Sequence, residues 1–293
     1  MVEKPKAGAM GGQVEYWNTA AGSIWVDNQE RLDHQFGPLT DRLFTHANIR
    51  SGERVIDVGC GTGATVLRSA ETVGSGGRVL GLDISNPMLD LARSRAQAHE
   101  KNGGGMAHLE LKIADAQIES FDAGSYDLIM SRFGVMFFGD PVAAFANLSG
   151  ALRSGGRLCF VCWGPLANNP WFNIPRTAAI QYLGAPAPTA PRAAGPMAFA
   201  ETDYITEILT NAGYSDIRVE TETCDMVGAA TAQETAHISI NTGPAYRIIK
   251  SNDASAEIIA SIEADIAAGF APYLQSDAVK VPAELHFIHA KKA

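Results

Sequence analysis

The chain has 293 residues, 46% hydrophobic and 19% charged, enough for one large α/β domain or two small ones. Its 23 Lys and Arg against 32 Asp and Glu leave a net charge of −9, which argues against nucleic acid as a main partner, because such binders need a basic surface to displace counterions. No apolar run reaches the length of a membrane span and the N-terminus has no secretory h-region, so the expectation is a cytoplasmic protein without membrane insertion.

Residues 1–12 are glycine-rich, and disorder is expected there. From Tyr16 to about Ile49, Leu32, Phe36, Leu39, Leu43 and Phe44 recur at helical spacing, with Pro38 dividing two helices. An alternation follows. Strands are predicted at 54–58, 78–84, 109–115, 126–131 and 157–163, and helices at 64–73, 87–100 and 141–152, the last closed by Ser154-Gly155-Gly156. Apolar strands separated by helices mean βαβ units and a parallel sheet covered on both faces. Residues 165–196 then hold seven of the fourteen prolines, and the rhythm breaks into low-complexity loop. A helix at 202–214 ends at Gly213, a strand follows at 216–221, and a helical insertion spans about 230–270. Its stripe of Ile258, Ile259, Ile262 and Ile266 can serve a homodimer interface as readily as a cap. A last strand is predicted at 284–292.

Cys159 and Cys162 have a C-x-x-C spacing but fall in a strand, where residues three apart point to opposite faces. No metal centre is expected from them.

The residues 54–66, "RVIDVGCGTGATV", carry the sharpest signal. Gly59, Gly61 and Gly63 leave the strand end bare of side chains, which suits a nucleotide-like cofactor. A dinucleotide turn reads G-x-G-x-x-G; here the third glycine comes one position early. Asp57 would repel a pyrophosphate and attract an ammonium. Backbone N–H groups around Gly59 and Gly61 are candidates for a ligand carboxylate. Asp83 ends the second strand, where an acid takes ribose hydroxyls, and Ile84 and Met88 are placed to flank an adenine. Asp115 and Ala116 follow the third strand, where an acid accepts from an adenine amino group. Ser131 ends the fourth at the carboxyl edge, where parallel sheets bind ligands.

"VIDVGCGTG", "GLDIS", "ADAQ", "YDLIMSRFGVMFF" and "ALRSGGRLCFV" resemble the successive motifs of class I S-adenosylmethionine-dependent methyltransferases. They are most similar to the group that includes the ubiquinone/menaquinone C-methyltransferases and many small-molecule enzymes. The resemblance covers about residues 45–165. It implies a Rossmann-like, doubly wound, seven-stranded sheet, mostly parallel with the last strand antiparallel, plus helical caps. It further implies that Gly59 and Gly61 line the methionyl part of S-adenosylmethionine, Asp83 the ribose, and Asp115 and Ala116 the adenine, with Ser131 near the methionine moiety. The quinone enzymes carry arginine then asparagine where this chain has Met136 and Phe137, which points to a more apolar pocket wall or to simple core packing. On this reading residues 1–49 form a tail and cap helices and 50–165 the cofactor core. Residues 166–293 supply a lid loop, a substrate-covering insertion at about 225–280 and the final strands.

The implied reaction is in-line methyl transfer to a small, partly apolar molecule. Tyr16, Trp17 and Trp25 are placed to close over the cofactor; an aromatic face near a sulfonium gains roughly 0.5–2 kcal/mol. They serve equally to pin the N-terminal helices to the core. His34 in the cap and His237 in the insertion are the candidates for a base, and Arg132 and Arg247 for holding an anionic substrate. A thiol, amine or carbanion needs no dedicated base, so the catalytic residue and acceptor atom stay open. Three rivals remain: a protein of this fold that binds S-adenosylmethionine without methylating, an NAD-dependent dehydrogenase, and a protein or RNA methyltransferase, the acidic charge arguing against RNA.

Overall fold

A computed structural model describes residues 8–101 and 108–293. Residues 1–7, part of the expected disordered tail, lie outside the described residues, while Gly8–Asn18 form the first helix, α1. Three more follow: α2 (Ala20–Asp27), α3 (Gln29–Gln35) and α4 (Gly37–Ala47). The predicted pair of helices is thus four short ones. Pro38 does begin α4, in its first turn where a missing N–H costs nothing.

The central alternation follows as β1 (Arg54–Val58), α5 (Ala64–Val73), β2 (Arg78–Asp83), α6 (Asn86–Lys101), β3 (Leu109–Ile113), β4 (Tyr126–Arg132), α7 (Pro141–Ala151) and β5 (Leu152–Trp163). Asp140 caps α7, its carboxylate accepting from the Ala143 N–H, with Pro141 next. The Ser154-Gly155-Gly156 stretch does not close that helix. It lies inside β5, where the pairing jumps from Tyr126–Leu152 to Leu128–Arg157 and Gly155 takes φ +70°. The surplus residues leave the ladder as an irregularity.

Next come α8 (Pro170–Leu183), α9 (Thr202–Asn211), β6 (Tyr214–Val227), α10 (Ala232–Asn241), α11 (Gly243–Ser251), α12 (Ala256–Phe270) and β7 (Lys280–Lys292). Helix α8 was hidden by its prolines. Pro170 sits at its first position, and Pro175 lies inside it, buried as Ala178 and Ala179 are. Burial against its neighbours offsets the roughly 3 kcal/mol an internal proline costs.

The sheet order is β3-β2-β1-β4-β5-β7-β6. The first five strands run parallel and β7 runs antiparallel to both β5 and β6. The main core fills both faces, with Leu39 and Leu43 of α4 and Phe145 of α7 fully buried. A second core joins α8, α10, α11 and α12 to the start of β7. Ile262, Ile266 and Phe270 are fully buried within it, each contributing roughly 1.5–3 kcal/mol. Ile262 and Ile266 of the isoleucine stripe thus pack inside the chain, while Ile258 and Ile259 at its start are half-buried. No described helix is long and apolar enough to cross a membrane.

Candidate functional site

The glycines after β1 serve three different needs. Gly59 takes φ +70°, and a methyl group on it would lie 2.7 Å from the Gly134 Cα. It is bare so that the loops after β1 and β4 can touch, main chain to main chain. At Gly63, φ +100°, the methyl would meet Ala92 Cβ of α6 at 3.1 Å. Gly61 alone faces open space. Its nearest neighbour would be Met88 Sδ, 3.9 Å away.

The N–H groups of this turn already have partners, contrary to the expectation that they await a ligand carboxylate. Gly59 and Cys60 both donate to the Leu82 carbonyl, at 2.8 and 3.0 Å. Gly61 donates to Asp83 Oδ2 at 2.8 Å. Asp83 Oδ1 accepts from the Ser85 N–H at 2.9 Å. Each carboxylate oxygen has a second lone pair, so Asp83 can hold the turn and still receive a hydroxyl. Burial pushes Asp83 up to about 6, against the N–H groups of Ser85, Gly61 and Ile84 that favour its charge.

Asp57 is fully buried, and neither carboxylate oxygen has a hydrogen-bond partner among the described residues. Burial pushes it up to about 7; the Thr65 hydroxyl and the Arg132 guanidinium favour its charge, without well-formed hydrogen bonds, and Asp83 opposes it. An acid in this state is a buried acceptor in want of a cation.

Ser131 is spent structurally. Its hydroxyl donates to the Val58 carbonyl at 2.7 Å and accepts from the Gly134 N–H at 3.1 Å, tying β4 to β1. Asp115 accepts from the Gln117 main chain and side chain, and Gln117 Oε1 accepts from the Gly139 N–H. Ala116 is buried, its carbonyl held by Asn147. Gln117 therefore joins the β3 and β4 ends, a role that its place beside Asp115 hinted at but did not specify.

The N-terminal helices dock directly on the end of β2. Asn18 Nδ2 donates to the Ile84 carbonyl, and Asn18 Oδ1 accepts from the Asn86 N–H, both at 2.8 Å. Ser85 Oγ donates to the Trp17 carbonyl at 2.7 Å. Trp17, not Tyr16, is the inward aromatic. It meets Phe137 edge-on with ring centres 5.2 Å apart, while Tyr16 is exposed and its hydroxyl accepts from Arg247. Trp25 stacks on Phe36, and from there a wall continues through Phe133, Trp163 and Phe172. Phe133 is held at φ +66°, a left-handed backbone rare for an aromatic residue, by stacking on Trp163 at 4.5 Å. Met136 is buried core, whereas Phe137 reaches the cap.

Two further residues escaped the sequence reading. Arg95 of α6 donates to the Thr62 carbonyl in the glycine turn and to Asp33 of α3, both at 2.7 Å. They carry no motif, and only the fold brings them together. Of the other candidates, Arg132 donates to Thr40 of α4 at 2.8 Å and lies beside Asp57. His34 is exposed. His237 is exposed too, paired with Glu263 at 3.1 Å. The structure does not gather either histidine with the acids.

A seven-stranded sheet in this order, with acids at the ends of β1 and β2 and a bare glycine turn between, has the fold of a class I methyltransferase. The comparisons agree. Residues 55–156 match the family described as a methyltransferase domain. The aklanonic acid methyltransferase of Streptomyces sp. strain C5 is 39% identical over 125 residues, covering 43% of this chain and 54% of that one. The nocamycin O-methyltransferase of Saccharothrix syringae is 33% identical over 193 residues, 62% of this chain and 66% of that one. The chain thus spans between about half and two thirds of these relatives' lengths. The geranyl diphosphate C-methyltransferase of Streptomyces coelicolor superposes with a TM-score of 0.53 at 14% identity, over 99% of this chain and 100% of that one. Residues 55–156 are a methyltransferase domain of the S-adenosylmethionine-dependent class.

Proposed function

We propose that the protein transfers a methyl group from S-adenosylmethionine to a small, partly apolar molecule. The observation that carries this is Asp57, a fully buried carboxylate whose two oxygens have no partner among the described residues, just before a turn in which Gly61, unlike Gly59 and Gly63, has room beside it. S-adenosylmethionine brings an ammonium that answers Asp57 and a ribose that answers Asp83; bound, it supplies an electrophilic methyl on a sulfonium. A pyrophosphate would add negative charge beside two acids, which disfavours the dehydrogenase reading.

The chain's own part is to bind, orient and exclude water. Asp83 and Ser85 fix the ribose side of the turn, and Met88 supplies an apolar wall. Trp17 and Phe137 close the site from the cap, so that the acceptor meets the methyl in a dry enclosure. Phe36, Phe133 and Trp163 of the aromatic stack are buried core, and the half-buried Trp25 and Phe172 at its ends offer apolar surface that suits an acceptor with a flat or apolar body. With His34 and His237 turned to solvent, the reading favours acceptors activated without a histidine base.

The test mixes purified protein, cofactor bearing an isotopically heavy methyl group and a small-molecule cell extract, followed by mass spectrometry. A protein-dependent labelled product is expected, and its fragmentation identifies the acceptor atom. Confirmed cofactor binding without labelled product across extracts of differing origin overturns the transfer. Failure to bind overturns the reading of Asp57 and Asp83.

A further inference from the structure

We infer that His46, Glu220 and His289 form a site for one divalent cation of the zinc class, separate from the cofactor edge. His46 stands at the end of α4, Glu220 on β6 and His289 on β7. His289 pairs in register with Cys159 of β5, which pairs with Met130 of β4, which pairs with Asp57 of β1. The cluster is therefore three strands across the sheet from Asp57, roughly 14 Å at normal strand spacing.

The donor atoms converge. His46 Nδ1 lies 2.9 Å from His289 Nε2, and His289 Nε2 lies 3.6 Å from Glu220 Oε1. All three donors fall within 4.8 Å of one another. A four-coordinate zinc ion with bonds of about 2.0–2.1 Å sets its ligands roughly 3.3–3.4 Å apart. Small side-chain adjustments bring this trio to that spacing. Glu220 is half exposed, so the fourth position opens to water.

The surroundings orient the trio as metal sites are oriented. His46 Nε2, the nitrogen turned away from the cluster, is bonded to Glu222 Oε1 at 2.9 Å. Glu222 is held in turn by Arg42. A carboxylate on the far nitrogen fixes the tautomer and makes the near nitrogen a better ligand. The His46 ring also stacks on the fully buried Phe287, 4.4 Å between centres and only 12° from parallel. Arg218, across the ladder from His289, opposes a cation, and Glu220 and Glu222 counter it. Cys159 is the cross-strand neighbour of His289, but it is buried and is not one of the converging donors; the other three cysteines are buried as well.

At its other end α4 carries Thr40, which holds Arg132 beside Asp57. A cation at His46 would clamp this helix to β6 and β7.

The experiment uses the full chain without a histidine tag, stripped with a chelator, loaded with Zn2+ alone and passed through gel filtration. One retained equivalent per chain is expected. Co2+ in its place should give four-coordinate visible bands without thiolate charge transfer. Glu222→Gln should weaken Zn2+ binding about 10–100-fold. Glu220→Gln, an exposed change that leaves the core untouched, should also lower retention, and the double variant with His289→Gln should abolish it. No retained metal in the parent chain, or retention unaffected by Glu220→Gln and Glu222→Gln, overturns the proposal.

Discussion

Replacing Asp57 with asparagine should act in opposite directions on stability and on binding. Burial raises the Asp57 pKa from 3.8 to about 7 in the folded chain. The folded state therefore holds a proton that the unfolded chain gives up at lower pH. The free protein loses stability as pH climbs from about 4 to about 7, and the penalty is complete above that. The rise corresponds to roughly 4 kcal/mol, an upper value because Asp83 is coupled to it. Asparagine has nearly the same shape and no charge. Without cofactor, Asp57→Asn should melt higher than the parent at pH 8, on the order of 5 °C, and nearly level with it at about pH 4 and below. Cofactor binding should respond the other way. The parent must ionise Asp57 to meet an ammonium, so its affinity should rise roughly 10-fold between pH 6 and pH 8, with proton release. The variant should bind weakly with a flat profile. Scanning calorimetry and titration calorimetry in two buffers of different ionisation enthalpy read both. A variant less stable than its parent at pH 8, or one that keeps the parent's pH slope, would refute the reasoning.

Asn18→Ala removes three hydrogen bonds between the N-terminal helices and the β2 end, worth roughly 1–3 kcal/mol together, so cofactor should dissociate about 5–150-fold faster in stopped flow, with a fall of a few degrees in melting temperature. An unchanged rate would mean that the cap takes no part in retention. The glycines should separate cleanly: Gly59→Ala drives a methyl against Gly134 and should cost at least about 2 kcal/mol in denaturant unfolding. Gly61→Ala meets only its left-handed φ of +54°, so it should cost about 1–2 kcal/mol in stability and far more in cofactor affinity. His237→Ala breaks an exposed pair with Glu263 and should leave both kcat and stability within error of the parent; a loss of turnover would restore it as the base.

Much of this site was legible because strand ends are written in local sequence. Asp57, Asp83 and Gly61 stand where a short continuous apolar run ends, and that position alone puts them on the carboxyl edge. The same logic could not tell which N–H groups the turn would keep for itself. Leu82 and Asp83 claim them through contacts across strands, which no spacing encodes. Tyr16, Trp17 and Trp25 could not be told apart for a similar reason: neighbours on a helix face different ways, and only the docking of Asn18 fixes that Trp17 faces in and Tyr16 out. Helix α8 was lost because proline reads as a breaker until burial is known. Arg95 and Asp33 lie far apart in sequence and meet only when α3 and α6 flank one turn.

The position of β7 has a consequence for how the chain comes to be folded. The strand made last is inserted between β5 and β6, so Arg157 finds Lys291 and Trp163 finds Leu285 only after every intervening helix has been synthesised. Until then β5 is a bare edge carrying the fully buried side chains of Phe160 and Val161. The segment 55–156 that bears the family's motifs stops inside that strand. A ribosome-bound chain that has just completed β5 would present an unpaired apolar edge to its neighbours.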